Sequence, residues 1–394
     1  MVAASGAAGQ GLVRALDICW QSVSNSAGHR PPAVSAKGEK MIKWISRSRV
    51  LASCIAAILA VACGLAVAQD KKFKLNVANN YPNTLPVVGE SALWLAERIK
   101  RASGGTIDIK VHEPGALVPA LQSIQAVSKG SVDAAWSSPG FYSGTDSAFN
   151  MFSTVPFGPS IPEYLAWMYQ GGGLQLQNEM FAKHNIHAIV CGIHAPEASG
   201  WFRKEIKSVN DLKGLKMRFF GLGAKVMEKL GVSTQMLAPG DIFQALQLGT
   251  IDATEFSMPT LDQRQGFYQV AKFYYFPGWH QQASLLDLFI NKAKWDALSD
   301  QQKAVIELAC GDMVREVAAR TEGTQYKAMM EMRDKNGVKI MRWSPEIMKA
   351  YEKAWGEVVT EESAKNPNFK KVWDSYSKFR ADYAIWRDHG YLQR

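Results

Sequence analysis

The stretch FKLNVANN, residues 73–80, begins the order of strands and helices that decides the fold. It is a predicted strand, and LPVVGESALWLAERIKRASGG (85–105) after it is a predicted amphipathic helix that ends at two glycines. A strand, a helix and a strand follow: TIDIKVHEPG (106–115), LVPALQSIQAVSKG (117–130) and SVDAAW (131–136). This β-α-β-α-β order is typical of a mostly parallel sheet covered by helices.

The same order of elements returns later in the chain. GLKMRFF, GAKVMEKLG, STQMLAPG, DIFQALQLG and TIDATEF are predicted as strand, helix, strand, helix and strand. When the ends of the two series are aligned, Gly130 matches Gly249, and Asp133 likewise matches Asp252. Two explanations are open: helix-ending glycines followed by small strands recur by chance in α/β proteins, or the chain contains two similar lobes. Two lobes that meet at a cleft bind a ligand at the carboxyl ends of their strands.

The last hundred residues are predicted to be mostly helical. Ser299 and Gln302 form a capping box that begins a long helix, and Gly337 follows its end. Ser344 begins another helix, and the tripeptide NPN (366–368) interrupts it before a final helical stretch. Aromatic residues recur near helical spacing in that stretch. This pattern predicts packing on its own lobe or contact with a second copy of the chain.

The N-terminal region predicts export. The basic stretch MIKWISRSRV from Met41 precedes the apolar run LASCIAAILAVACGLAVA, which ends at an A-x-A cleavage site. Residues 1–68 are therefore interpreted as a leader and signal peptide, with the true start at Met41 and cleavage after Ala68. A transmembrane anchor and a lipoprotein box ending at Cys63 are the alternatives.

Charge and cysteine content exclude several classes of protein. The leader contains seven of the 45 Lys and Arg residues but only two of the 36 Asp and Glu residues, so the mature chain has a net charge of only +4. That charge is too small to indicate a nucleic-acid partner. Cys191 and Cys310 are the two cysteines of the mature chain. A periplasmic location permits a disulfide between them, but two separate buried thiols explain the sequence equally well.

The common catalytic motifs are absent from the sequence. It contains no G-x-S-x-G elbow, no P-loop, no G-x-G-x-x-G after a strand and no H-E-x-x-H. His184, His187 and His194 are close in sequence, but no Cys or acidic pattern near them supports a zinc site. No reaction class follows from these residues.

Arg218 is the strongest candidate for ligand binding. It lies in DLKGLKMRFFG (211–221), among aromatic residues at a predicted strand end. A guanidinium binds a carboxylate through two parallel hydrogen bonds, although a solvated strand charge explains the pattern too. Glu197, Glu255 and Gln281 also follow predicted strands. Their oxygen atoms are the ligands that a hard cation such as Na⁺ or Ca²⁺ prefers.

Several stretches of the chain resemble the solute receptors of tripartite ATP-independent periplasmic (TRAP) transporters. They include SVNDLKGLKMR, GDIFQALQLGTIDATEF, VAKFYYFPGWH and LDLFINKAKWDALS, and the resemblance extends over roughly 73–394. The branch that the chain resembles binds 2-oxo and 2-hydroxy monocarboxylates together with a metal ion, here Na⁺ or Ca²⁺.

The resemblance implies roles for five residues on one side of the cleft. Arg218 would bind the ligand carboxylate. Glu255 would join the metal shell through its side chain and Phe256 through its carbonyl, although Phe256 replaces a tryptophan usual in this branch. Glu197 stands where a glutamine is expected, and Gln281 where a glutamate is often found. One carboxylate would thus have moved across the site, with Glu197 close to both the substrate and the metal.

On the opposite lobe, the resemblance implies that three aromatic residues face the cleft: Tyr81, Phe141 and Tyr142. The alternative is that these aromatic rings belong to the core of the lobe.

The implied fold is α/β, a two-lobed periplasmic-binding-protein-like (Venus flytrap) architecture with a long connecting helix and a helical C-terminal segment. Lobe I is expected to comprise 69–195 plus 284–323, and lobe II 196–283 plus 324–365. Residues 366–394 would form the C-terminal helical segment, with a role in dimerisation.

The implied function is a periplasmic receptor, not an enzyme. It would close around a small carboxylate and deliver it to the small and large membrane subunits of a TRAP permease, with no organic cofactor and no nucleic acid. A homodimer is expected from the C-terminal segment. The competing hypotheses are an exported α/β enzyme acting on a small organic acid and a chemosensory receptor of the same fold. The enzyme would need a general base held by a partner, and the sequence shows none.

Overall fold

A computed structural model describes residues 71–392 of the chain. The predicted leader, with its start at Met41 and cleavage after Ala68, lies outside these residues. Among the described residues, no helix combines the length and the apolar character that a membrane span requires.

The described residues form eleven strands and eleven α-helices, joined by turns and short 3₁₀ segments. The strands are β1 (Phe73–Asn79), β2 (Ile107–His112), β3 (Ala134–Ser137), β4 (Ile186–His194), β5 (Gly200–Phe202), β6 (Lys216–Arg218), β7 (Ser233–Gln235), β8 (Ala253–Thr254), β9 (Phe273–Phe276), β10 (Ser284–Asn291) and β11 (Lys339–Arg342). The helices are α1 (Glu90–Ala102), α2 (Ser123–Lys129), α3 (Ile161–Gln170), α4 (Gly173–Ala182), α5 (Leu222–Lys229), α6 (Ile242–Gln247), α7 (Pro259–Gln265), α8 (Lys292–Asp296), α9 (Asp300–Asn336), α10 (Pro345–Lys365) and α11 (Pro367–Gly390).

The first sheet has the strand order β2-β1-β3-β10-β4. β1 runs parallel to β2 and β3, as the predicted β-α-β-α-β order requires, whereas β10 is antiparallel to both of its neighbours. The first helix begins at Glu90, later than predicted, because the preceding residues form turns. Gly89 is needed there, since a Cβ at this position would lie 1.9 Å from the carbonyl oxygen of Pro82.

The second sheet repeats the arrangement of the first, in the order β11-β9-β5-β8-β6-β7. Here β6 is parallel to β7 and β8, and β5 is antiparallel to β8. The aligned aspartates have equivalent roles. Asp133 accepts a hydrogen bond from the backbone N–H of Asn76 in β1, and Asp252 accepts one from that of Lys216 in β6, both at 2.9 Å. Each carboxylate ties the start of its third strand to the first strand of its sheet.

The chain crosses between the two sheets three times. It passes from β4 to β5, returns from β9 to β10, and crosses again through α9 to β11. α9 has 37 residues, which corresponds to about 55 Å at 1.5 Å per residue. The predicted capping box of Ser299 and Gln302 begins this helix, and Gly337 ends it in the left-handed conformation. The predicted two-lobed α/β fold with a long connecting helix is confirmed.

A disulfide joins the first sheet to the long helix. Cys191 in β4 is bonded to Cys310 in α9, and both residues are fully buried. The sequence left this disulfide and two separate thiols equally open.

The two C-terminal helices pack on different lobes. α10 packs against α5 below the second sheet, where Lys225 forms an ion pair with Glu362. α11 packs against α3 and α4 of the first lobe, and Arg380 forms an ion pair with Glu163 at 2.8 Å. For the segment 366–394 the sequence left open packing on its own lobe or contact with a second copy, and the segment rests on the first lobe at least as far as Arg380.

Candidate functional site

A small cavity lies between the two sheets, at the carboxyl ends of their parallel strands. Its volume of about 30 Å³ is two to three times the space that one buried water requires. Side chains from both lobes surround it: Tyr81, Val88, Ser138, Phe141, His194, Glu197, Arg218, Phe220, Phe256, Ser257, Gln281 and Ser284.

Arg218 is the last residue of β6 and lies at the wall of this cavity. Only 1 % of its surface is exposed, which rules out a solvated strand charge. Its Nη1 atom donates to Glu255 Oε1 at 2.6 Å and to the Glu255 carbonyl at 3.0 Å, and its Nε donates to the Leu237 carbonyl at 3.4 Å. The only acceptor near Nη2 among the described residues is the Met236 sulfur at 4.0 Å. A weak acceptor leaves this edge of the guanidinium available to a ligand.

Glu255 holds Arg218 in place and is itself fully buried. Its Oε1 atom also accepts the backbone N–H of Phe220 at 2.6 Å, and its Oε2 lies 3.4 Å from His280 Nε2. Burial alone would raise the pKa of the Glu255 carboxyl. The Arg218 guanidinium, His280 and the Phe220 N–H together outweigh that effect and hold the pKa of Glu255 below its usual value.

Glu197 is the second buried carboxylate of the site. The chain brings it beside Gln281, since Glu197 N donates to the Gln281 carbonyl at 3.0 Å. Gln281 Nε2 in turn donates to Glu197 Oε2 at 2.7 Å, and Ser284 donates to Gln281 Oε1 at 2.6 Å. Burial, and next the negative charge of Glu255, raise the pKa of Glu197 well above its usual value. When both carboxyls are ionised, the single guanidinium of Arg218 leaves the site one positive charge short.

A cation fits this shortage of positive charge. Ligand atoms of Glu197, Glu255 and His280 all lie within 4.8 Å of one another, and all three residues are buried. Two carboxylates are the oxygen donors that Na⁺ and Ca²⁺ prefer, and Gln281 adds an amide beside them. The predicted residues Glu197, Glu255 and Gln281 are thus brought together. Phe256 lines the same cavity, with its ring 5.7 Å from the Arg218 guanidinium carbon.

The aromatic predictions have different outcomes in the structure. Tyr81 and Phe141 line the cavity, with ring centroids 6.1 Å apart. Tyr142 does not line it. Its ring packs in the core of the first lobe, 5.1 Å from Phe149 and 5.5 Å from His184. Residues 139–142 form one turn of 3₁₀ helix, so neighbouring side chains there point in different directions.

Sequence reasoning missed several residues of the site. His194 contacts Glu197 at 3.7 Å, and burial lowers the pKa of His194 to about 4, so its ring is neutral at pH 7. His280 contacts both carboxylates. Its position beside Gln281 was the signal that could have found it. In the predicted strand GLKMRFF, Phe220 shares a face with Arg218, which was a similar signal.

Comparison with known proteins identifies the family. Residues 78–366 match the model of the bacterial extracellular solute-binding proteins, family 7. The chain belongs to this family. It is 35 % identical to a monocarboxylate 2-oxoacid-binding periplasmic protein of Nostoc sp., over 74 % of this chain and 80 % of that protein.

Solved structures of TRAP transporter receptors share the fold. One, from Bordetella bronchiseptica, is 36 % identical in sequence and superposes with a TM-score of 0.79; the match covers 80 % of this chain and 94 % of that one. That protein is a mixed-occupancy dimer with calcium and picolinate in one active site. Another, from Pseudoalteromonas atlantica, is 30 % identical, with a TM-score of 0.77 over 80 % and 96 %, and contains sodium and pyruvate. The family member described here is accordingly a transport receptor and not an enzyme, as the sequence predicted.

Proposed function

We propose that this family member is the TRAP receptor for a small 2-oxo or 2-hydroxy monocarboxylate, held by Arg218 together with Na⁺ or Ca²⁺. The observation that carries the proposal is the fully buried Arg218 at the cavity wall, with one edge of its guanidinium facing a weak acceptor. The small cavity favours an acid of few carbon atoms. Similar proteins bind 2-oxoacids, pyruvate or picolinate, all of which are small monocarboxylates.

The charges of the site explain why a metal and an acid would bind together. Arg218 is one positive charge against the two carboxylates Glu197 and Glu255. A ligand carboxylate adds a further negative charge, which a buried site does not accept without compensation. A bound cation would supply that compensation beside the two carboxylates. Glu197, Glu255, Gln281 and the carbonyl of Phe256 would hold the cation.

Closure of the lobes would follow from contacts on both sides of the ligand. Arg218 ends β6 and Glu255 follows β8 in the second lobe, whereas Tyr81 and Phe141 belong to the first lobe. A ligand that touches both lobes favours the closed state, because only that state offers all of its contacts. The proposed lobes are 69–195 plus 284–323 and 196–283 plus 324–365.

The cellular setting forms part of the same proposal. After export to the periplasm by a cleaved signal peptide, the closed receptor would dock on the small and large membrane subunits of the permease. A homodimer formed through the C-terminal segment is also proposed. Ile385 and Trp386 in the last turns of α11 are 71 % and 57 % exposed, as expected for a surface that a second copy covers.

Thermal-shift and calorimetric titrations of residues 69–394 test the ligand class. The panel comprises pyruvate, lactate, branched 2-oxo acids and picolinate, each with Na⁺, Ca²⁺ or chelator. A ligand at a hundredfold excess over Kd stabilises the folded state by about 2.7 kcal/mol, which shifts the melting temperature visibly. Arg218→Lys keeps the charge but loses the planar fork, so affinity should fall at least tenfold. Arg264→Lys, at an exposed position, is the control. The control should bind like the wild type. The proposal fails if no acid binds, or if Arg218→Lys binds the acid as tightly as the wild type does.

A further inference from the structure

One side chain of the second lobe fills a notch in the first lobe. Phe220, two residues after the end of β6, packs against Phe141, with ring centroids 4.7 Å apart. Its ring edge lies over Gly140, which follows β3. A Cβ at Gly140 would lie 2.4 Å from Phe220 Cζ and 2.9 Å from Phe220 Cε1. The ring therefore occupies the space that any side chain at position 140 would need.

Phe220 is also linked to the ligand site through its backbone. Glu255 Oε1 accepts hydrogen bonds from Phe220 N and from Arg218 Nη1, each at 2.6 Å. The carboxylate that orients the ligand-binding arginine therefore also fixes the residue that reaches across the cleft. Phe220 itself is 6 % exposed and closes one wall of the cavity.

We propose that Gly140 is a positioning residue for ligand binding, because the absence of a side chain there allows Phe220 to seat and the cleft to close. The inference rests on the proposed function in that the ligand occupies the cavity beside Arg218. It adds a determinant of affinity that does not touch the ligand. Gly140 is absent from the cavity lining, and its effect acts through Phe220.

The steric nature of the proposal permits a direct test. Gly140→Ala should weaken the binding of pyruvate with Ca²⁺ at least tenfold in calorimetry, while the melting temperature of the metal-free, ligand-free protein stays within about 2 °C of the wild-type value. Gly144→Ala is the matched control, since Gly144 lies in the same loop and a Cβ added there would have no atom within 4 Å. It should bind like the wild type.

The alanine at position 140 could also crowd the first lobe itself, where Ser153 Oγ lies 3.0 Å from the same Cβ position. Measuring Gly140→Ala in a protein that already carries Phe220→Leu separates this crowding from the clash with Phe220. Leucine lacks the Cζ and Cε1 atoms that the alanine would meet. In a double-mutant cycle, Gly140→Ala should therefore cost less than twofold in Kd when Phe220→Leu is already present. An equal cost in both backgrounds, or wild-type affinity for Gly140→Ala alone, overturns the inference.

Scattering distinguishes failure of this inference from failure of the proposed function. With pyruvate and Ca²⁺, the wild type should contract in small-angle X-ray scattering, and Gly140→Ala should contract less. A wild type that binds no acid overturns the proposed function. The inference about Gly140 is then tested by scattering with Ca²⁺ alone. It fails if Gly140→Ala is as compact as the wild type under that condition.

Discussion

At the scale of single residues, the site depends on how two buried carboxylates are satisfied. Glu255 has a full charged partner in Arg218, whereas the described residues offer Glu197 the amide of Gln281, the hydroxyl of Ser257 and two neighbouring histidines. An unpaired buried charge is costly, so Glu197 is the carboxylate that gains most from a bound cation. The geometry thus assigns different roles to two chemically identical groups.

Exchanging the side chains of positions 197 and 281 tests this assignment. Glu197→Gln should weaken Ca²⁺ binding at least tenfold, because the site then offers one carboxylate in place of two. The double variant Glu197→Gln/Gln281→Glu should recover most of the affinity, since the two side chains are 2.7 Å apart and the exchange restores the charge. Calorimetric titration with Ca²⁺ measures both. Unchanged metal affinity in the single variant would show that Glu197 is not a ligand.

Some residues of the site were predictable because their chemistry is local. Arg218 stood out as a cation among aromatic residues at a strand end, and its burial and pairing agree with that interpretation. For Tyr142 the sequence left the cleft and the lobe core open, because the choice depends on one turn of 3₁₀ helix and on packing beside Phe149 and His184. Tertiary packing decides such details, and residue type alone does not.

At the scale of elements, β10 is the strand that joins the first lobe together. It lies between β3 and β4, and all eight of its residues are buried. One of them is Asp287, whose carboxyl accepts a hydrogen bond from Gln177 in α4 and faces Ser137 in β3. Among the described residues Asp287 has no ion-pair partner, and its Oδ1, Ser137 Oγ and Gln177 Oε1 have no hydrogen bond. A charged carboxylate is unfavourable at this position.

Asp287→Asn should therefore stabilise the fold in a pH-dependent way. Burial raises the pKa of Asp287 well above its usual value, so the folded state holds this proton more tightly than the unfolded state does. The resulting stability is present at low pH and is lost as pH rises from the unfolded pKa through the folded one. The asparagine has no such loss.

The increase in melting temperature over the wild type should accordingly be larger at pH 8 than at pH 5. Asp241→Asn, at an exposed position, provides the control, and it should give the same small difference at both pH values. Other titrating groups are common to the wild type and the variant, so their contributions cancel. An increase that is equal at pH 5 and pH 8 would contradict the protonated state of Asp287.

Elements were predicted better than the contacts between them. The capping box of Ser299 and Gln302 and the helix start at Ser344 depend on side chains three residues away or fewer, and both are present in the structure. The Cys191–Cys310 disulfide joins residues 119 positions apart. No local pattern brings two such residues together, because only the packing of α9 against β4 does so.

At the scale of the whole molecule, the C-terminal helices follow different lobes. α10 lies against the second lobe and α11 against the first. Asn366 at their junction donates to Asp146 and Ser147 of the first lobe, at 2.6 and 3.0 Å. A motion that opens the cleft must therefore bend the chain near this junction, and we expect α11 to keep its place on the first lobe while it does so.

The exposed end of α11 permits a test of the proposed homodimer. Replacing Ile385 and Trp386 by Glu should shift the protein from dimer to monomer in size-exclusion chromatography with light scattering, because burial of charge at a subunit contact is unfavourable. Affinity for the acid should stay within about twofold, since both positions lie outside the cavity lining. Leu308→Glu, on the exposed face of α9, is the control. A wild type that is monomeric at all concentrations would refute the dimer.

The central place of β10 also has a consequence for biogenesis. A chain that is synthesised from its N-terminus presents β1 to β4 long before residue 284 arrives. Until then β3 lacks one of its two neighbours and β4 has no paired strand. Unpaired edges of this kind are sites of aggregation. We therefore expect the newborn chain to need chaperones that keep it extended until β10 is present. Gene fragments that end before β10 should yield a target for proteases and not a one-lobed receptor.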